Sequence, residues 1–237
     1  MSAGAAERRE QLVEVYREAA VCVRCELSET RTKVVFGSGD ADADLMFVGE
    51  GPGKSEDEQG LPFVGRAGQL LGTLLEEIGL SRGEVFIANV VKCRPPGNRD
   101  PQPGEIEACR PYLLEQVRLI EPKVIATLGN FSTKLLTGSQ TGITKVRGVP
   151  QPKRIGVRDV HLFPILHPAA ALRSQSLMPT MREDFAKLPA LIAGPPADTG
   201  EPPADASEVI GAIDPSPGPS EPDGPPPPDD QLDIFRP

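Results

Sequence analysis

The chain has four cysteines, and their spacing already suggests chemistry. Cys22-Val-Arg-Cys25 is a C-x-x-C pair; 67 residues separate Cys25 from Cys93, and 15 separate Cys93 from Cys109. Four thiolates can hold zinc or an iron–sulfur cluster, whereas a C-x-x-C pair alone can do redox work while the other two thiols are simply buried. Zinc ribbons usually supply both pairs as tight knuckles. Here the second pair is split between a loop after a strand and a helix, which leans toward a cluster without deciding between the metals. A disulfide framework does not suit a large intracellular domain.

A second group of polar residues follows apolar runs. Val48-Gly-Glu-Gly-Pro-Gly-Lys-Ser-Glu-Asp-Glu58 superficially resembles a phosphate loop. The G-x-x-x-x-G-K-[ST] pattern would need its first glycine where Val48 stands, however, and Pro52 removes a backbone donor from the cradle. Glu56, Asp57 and Glu58 also put carboxylates where phosphates would lie, so a nucleotide triphosphate is a poor fit. Asn89 sits inside an apolar strand, where an amide must find hydrogen bonds or cost a few kcal/mol. Singly, His167 reads as a strand cap, Phe63 as core, and Glu50 and Glu56 as solvated. Their convergence on one rim is what would give them a function.

The elements that must position them are short apolar runs at residues 44–49, 85–91, 123–129 and 160–166, of the buried-strand type. Helical patterns cover 7–20, 66–78, 103–120, 130–136 and about 179–192. Strands separated by helices predict an α/β fold with a parallel sheet covered on both faces, with ligands at the carboxyl ends of the strands. The loops 49–65, 92–102 and 167–173 fall there.

The formal net charge is −9, but it is uneven. Residues 194–237 hold 13 of the 27 prolines and ten acidic residues against Arg236 alone, so residues 1–193 carry equal numbers of acidic and basic groups. The low pI therefore does not argue against nucleic-acid binding by the body. The two expected units are a folded domain over 1–193 and a disordered Pro/acidic tail over 194–237. Charges spread through the first twenty residues and the lack of any apolar span predict no signal peptide, no membrane association, and a cytoplasmic location.

Several motifs, in order, carry a resemblance. Gly49-Glu-Gly-Pro-Gly53, Leu61-Pro-Phe-Val-Gly-Arg-Ala-Gly68, Asn89-Val-Val-Lys-Cys-Arg-Pro-Pro96 and His167-Pro-Ala-Ala170, with all four cysteines, resemble the iron–sulfur, family 4 uracil-DNA glycosylases over about residues 15–192. The resemblance implies a three-layer α/β/α fold with a four-stranded parallel central sheet. It implies a [4Fe–4S] cluster on Cys22, Cys25, Cys93 and Cys109, and an enzyme that releases uracil from double- or single-stranded DNA as a monomer. It implies stacking of the flipped base on Phe63, recognition of its edge by Asn89, and donation from His167 to the uracil carbonyl that gains charge. Close approach at Gly49 and Gly51 is implied as well, with water positioned by Glu50 or Glu56. The loop 167–173 would wedge into the minor groove, with Lys92, Arg94, Arg99 and Arg173 as candidate phosphate contacts.

A related group of uracil binders traps the base covalently through a histidine in an insertion before the fourth cysteine, with glutamine after the first-motif glutamate. This chain has Gly51 there and no histidine in 97–103, so turnover is expected. The competing readings are a non-catalytic or covalently trapping uracil-DNA binder and an iron–sulfur electron carrier; the carrier gives no reason for Asn89, Phe63 and His167 to converge. Finally, Gln231-Leu-Asp-Ile-Phe235 resembles the peptide by which bacterial repair proteins dock on the sliding clamp, and the Pro-rich stretch before it would act as a tether.

Overall fold

The computed structural model describes residues 3–200. The rest of the expected tail, with the peptide Gln231–Phe235, lies outside the described residues. In chain order the elements are α1 (Ala3–Ala20), α2 (Leu27–Thr30), β1 (Ser38–Gly39), β2 (Leu45–Gly49), α3 (Lys54–Gln59), α4 (Arg66–Glu77), β3 (Phe86–Asn89) and α5 (Pro103–Ile120). Then come β4 (Val124–Leu128), α6 (Asn130–Thr137), α7 (Ile143–Val146), β5 (Gln151–Ile155), β6 (Arg158–Ile165), α8 (Pro168–Arg173), α9 (Met178–Phe185) and α10 (Leu188–Ala193). Among the described residues no helix is long and apolar enough to cross a membrane.

The sheet order is β1-β3-β2-β4-β6-β5, and the expected four-stranded parallel sheet needs correcting to six mixed strands. The four inner strands, β3, β2, β4 and β6, are mutually parallel and correspond to the apolar runs. Two edge strands pair antiparallel: β1 with β3, and β5 with β6. Neither has an apolar run to announce it. β1 is two residues long, and β5 is Gln-Pro-Lys-Arg-Ile, whose proline and cations suit an edge that must not recruit another chain.

Alternation along the inner strands divides the core in two. Met46, Val48, Phe86 and Ala88 face one layer with Leu12 and Tyr16 of α1 and Leu113 and Val117 of α5. Leu45, Phe47, Ile87 and Phe163 face the other, with Leu71 and Leu74 of α4 and Met181 and Phe185 of α9. The result is the three-layer α/β/α arrangement. The expected last helix is broken into α9 and α10, because Pro189, in the first turn of α10, has no N–H to bond the Phe185 carbonyl four residues back.

Starting from β2, the chain adds β3 on one side and then crosses back to add β4 on the other. The winding therefore reverses at β2, and a crevice opens beyond the carboxyl ends of β2 and β4. At the far edge, Thr199 of the expected tail donates a 2.9 Å hydrogen bond to Asp159, and the His161 ring lies 3.0 Å from the Pro195 carbonyl.

Candidate active site and candidate metal centre

The crevice is a cavity of about 980 Å³, at the upper end of small-molecule sites and roomy enough for a nucleotide with part of its backbone. Its wall brings together Glu50 and Gly51 after β2, Glu56 on α3, Phe63 before α4, Asn89 at the end of β3, and His167 after β6. Gly49 lies beneath it: a Cβ there would collide with Asn89 Oδ1 and press within 3.0 Å of the Phe63 ring.

Phe63 stands at φ 52°, in the left-handed region, at a cost of about 1–3 kcal/mol for such a residue. Three contacts hold it there. Glu56 Oε1 accepts from the Val64 and Gly65 backbone N–H groups at 3.0 and 2.9 Å, at the start of α4. Arg82 donates to the Pro62 carbonyl at 2.9 Å. Gly68 lets α4 sit against the Phe63 carbonyl, where any Cβ would overlap it. The Phe63 ring then lies 5.6 Å from that of His167, at an interplanar angle of 28°.

His167 is the N-cap of α8, and its Nδ1 accepts from the Ala169 N–H at 3.1 Å. Burial, with Arg173 nearby, pushes its pKa down to about 4, against an opposing pull from Glu56. The ring is therefore neutral at pH 7, and with Nδ1 an acceptor the proton sits on Nε2. Gly129, at φ 95°, leaves room beside it.

Asn89 is 2% exposed. Its carbonyl accepts from Lys92, but its side-chain amide has no hydrogen-bond partner among the described residues. The Glu50 carboxylate likewise has no hydrogen-bond or ion-pair partner among the described residues, and burial, then Asp100, raise its pKa above the ordinary carboxylate value. The two glutamates thus differ: one braces the Phe63 loop and the other is free toward the cavity.

Of the expected phosphate contacts, Lys92 must be corrected. It is 1% exposed and bonded inward, so it cannot reach a phosphate. Arg99 is engaged by Glu105 at 2.9 and 2.5 Å, and Arg94 donates to Asn98 at 2.7 Å. Arg173 lines the cavity mouth. The opposite wall, formed by Asn130, Phe131, Lys134 and Gln140, escaped the sequence reading. The available signal was position: α6 begins directly after β4, at the carboxyl rim.

On the other side of β3, Cys22, Cys25, Cys93 and Cys109 line one small cavity with Ala19, Leu27 and Tyr112. Lys92 N–H points at Cys109 Sγ at 3.2 Å, and Arg31 donates to Cys93 Sγ at 3.5 Å and to the Cys22 carbonyl at 2.6 Å. Among the described residues no group of three or more His, Cys, Asp or Glu is arranged to hold a single metal ion. Burial pushes the Cys109 thiol up to about 12, so thiolates there need a positively charged occupant. Four thiols around one void, with N–H donors aimed at sulfur, form a donor set suited to a thiolate-held metal centre.

The profile described as the uracil DNA glycosylase superfamily matches residues 36–188. The chain is 46% identical over 191 residues to a type-4 uracil-DNA glycosylase of Sulfurisphaera tokodaii, covering 78% of this chain and 87% of that one. It is 45% identical over 184 residues to the type-4 enzyme of Saccharolobus solfataricus, covering 76% and 85%. It is 45% identical over 188 residues to that of Thermotoga maritima, covering 78% and 96%.

Proposed function

The chain belongs to the uracil-DNA glycosylase superfamily, and from that premise we propose that it is a DNA repair glycosylase. It hydrolyses the N-glycosidic bond of uracil in DNA as a monomer, releasing free uracil and leaving an abasic site. The observation that carries this reading is the Asn89 amide, presented to the cavity from an otherwise buried residue and with no hydrogen-bond partner among the described residues. An amide edge with no internal bond to give up is free to pair with a base edge, whereas a mismatched base that seals it from water leaves it unsatisfied at about 1–3 kcal/mol. Uracil offers an N3–H to the amide oxygen and an O4 to its nitrogen. Cytosine reverses both and leaves them unpaired.

The other residues then fall into roles. The base must be flipped out of the duplex, and Phe63 offers it a fixed aromatic face worth about 1–3 kcal/mol. As the glycosidic bond breaks, its electron pair goes to the uracil ring, and the His167 Nε2–H donates to the carbonyl that gains charge. A neutral donor held in one tautomer stabilises that oxyanion without first having to lose a proton. Glu50 faces the sugar cation, orients the attacking water and takes its proton. Glu56 acts one step back, by holding Phe63. Incubation with a single-uracil oligonucleotide followed by alkali should cleave at the uracil position and leave a matched cytosine strand whole. Cleavage of neither strand, with binding intact, would favour the non-catalytic reading.

We propose that Cys22, Cys25, Cys93 and Cys109 hold a [4Fe–4S] cluster. Its role is structural, tying the loop after α1 and the loop after β3 to α5. The purified protein should be brown, with about four iron and four sulfide per chain. Stoichiometric zinc without sulfide in anaerobic preparations would contradict the assignment.

We also propose that Gln231–Phe235 docks on a bacterial sliding clamp, with Leu232 and Phe235 in an apolar pocket and Gln231 on its rim. Tethering would raise the local concentration of the enzyme on replicated DNA. Truncation after Asp230 should abolish clamp binding and leave excision on short oligonucleotides unchanged; a truncated chain that binds as the full chain does would reject the docking.

A further inference from the structure

Lys92 is buried, yet no carboxylate pairs with it among the described residues. Its ammonium donates to the Asn89 carbonyl at 2.8 Å and to Gln116 Oε1 at 2.5 Å, and lies 5.9 Å from the centre of the Phe36 ring. Gln116 in turn is locked by its own donation to the Phe36 carbonyl at 2.8 Å. An unpaired buried cation is costly, and neutral carbonyls offset only part of that cost. The backbone of the same residue points its N–H at Cys109 Sγ, and the next residue is Cys93. Two partly separate sites therefore meet in one residue: the carbonyl it grips belongs to the base-reading asparagine, and the nearest negative charges available are thiolates of the four-cysteine site.

We infer that Lys92 is a positioning residue that couples the four-cysteine site to base recognition, balancing the cluster's negative charge while fixing the main chain of Asn89 at the end of β3. The inference rests on the cluster assignment proposed above. With the thiolates in place, the ammonium has its counter-charge and stays where Asn89 needs it. Without them it is a stranded cation beneath the uracil site. An amide misplaced by even a fraction of an ångström orients the base poorly, which lowers the rate of bond breaking more than the affinity for DNA.

The test uses full-length protein carrying Lys92→Met, which keeps much of the volume and removes the charge. Iron and sulfide per chain should match wild type. The cluster's midpoint potential should become more negative, because a nearby cation favours the reduced, more negative cluster. Single-turnover uracil excision should fall at least tenfold, with the Kd for uracil-DNA unchanged. Gln116→Met separates the two roles, since it loosens the ammonium without removing it: excision should fall while the potential stays near wild type. It also serves as the deciding variant if Lys92→Met fails to accumulate as folded protein. Iron-loaded Lys92→Met with wild-type potential and rate overturns the inference alone. Wild-type protein without iron sinks the cluster reading and the charge-balancing role with it.

Discussion

His167→Ala should lower single-turnover uracil excision by about 10²–10³-fold, the cost of losing one oxyanion donor, while leaving DNA affinity unchanged. The expectation follows from the state in which the ring is held. Ala169 N–H occupies Nδ1 and leaves the proton on Nε2. Burial, then Arg173, keep the ring neutral down to about pH 4. The pH profile provides a second check. The folded-state pKa lies below the ordinary histidine value of about 6.5, so the neutral ring's contribution to stability is full above that value and declines as pH falls toward the folded one. Excision should therefore show no histidine limb near neutrality. Its acid limb should reflect protonation of Glu50, whose pKa is raised by burial and by Asp100 but whose carboxylate form is required. A wild-type rate in the variant would remove His167 from the role given to it.

Asn89→Ala should reduce excision by roughly 10²-fold or more, because two buried hydrogen bonds at about 1–1.5 kcal/mol each are lost and the base is left free to turn on Phe63. Inhibition by free uracil should weaken in parallel, since the same contacts hold the product. Packing should change little: the amide has no hydrogen-bond partner to lose among the described residues, and Gly49 has no side chain to collapse into the space. A variant with normal excision and normal uracil inhibition would show that the Asn89 amide does not read the base.

Some of this was legible in the chain and some was not, for physical reasons. An asparagine in an apolar run, Phe86-Ile-Ala-Asn89, conflicts with burial unless something satisfies it, so Asn89 could be singled out before any coordinates. The inner strands were legible because both their faces are buried and their runs are continuous. β1 and β5 were not, because edge strands are defined by pairing rather than by their own composition. The role of Glu56 depends on a contact to backbone groups eight and nine residues on, across a turn, and nothing in helical or strand periodicity encodes that. Lys92 was misassigned to the surface because it stands among Arg94 and Arg99 in a rim loop. Its partner Gln116 is 24 residues away on α5, and only the packing of α5 on the sheet brings them together. The left-handed backbone of Phe63 was likewise invisible, since an aromatic residue adopts it only when Glu56, Arg82 and Gly68 together enforce it.

The central claim is turnover: bond cleavage with release of the base and of the enzyme. It is tested most directly by quantifying free uracil, per enzyme, from a single-uracil duplex held in large excess. The account predicts many equivalents of free uracil, matched one for one by abasic duplex, with no protein–DNA adduct surviving denaturation. No free uracil, or a single equivalent at most accompanied by a stable adduct, would contradict it and identify the chain as a binder or a trap.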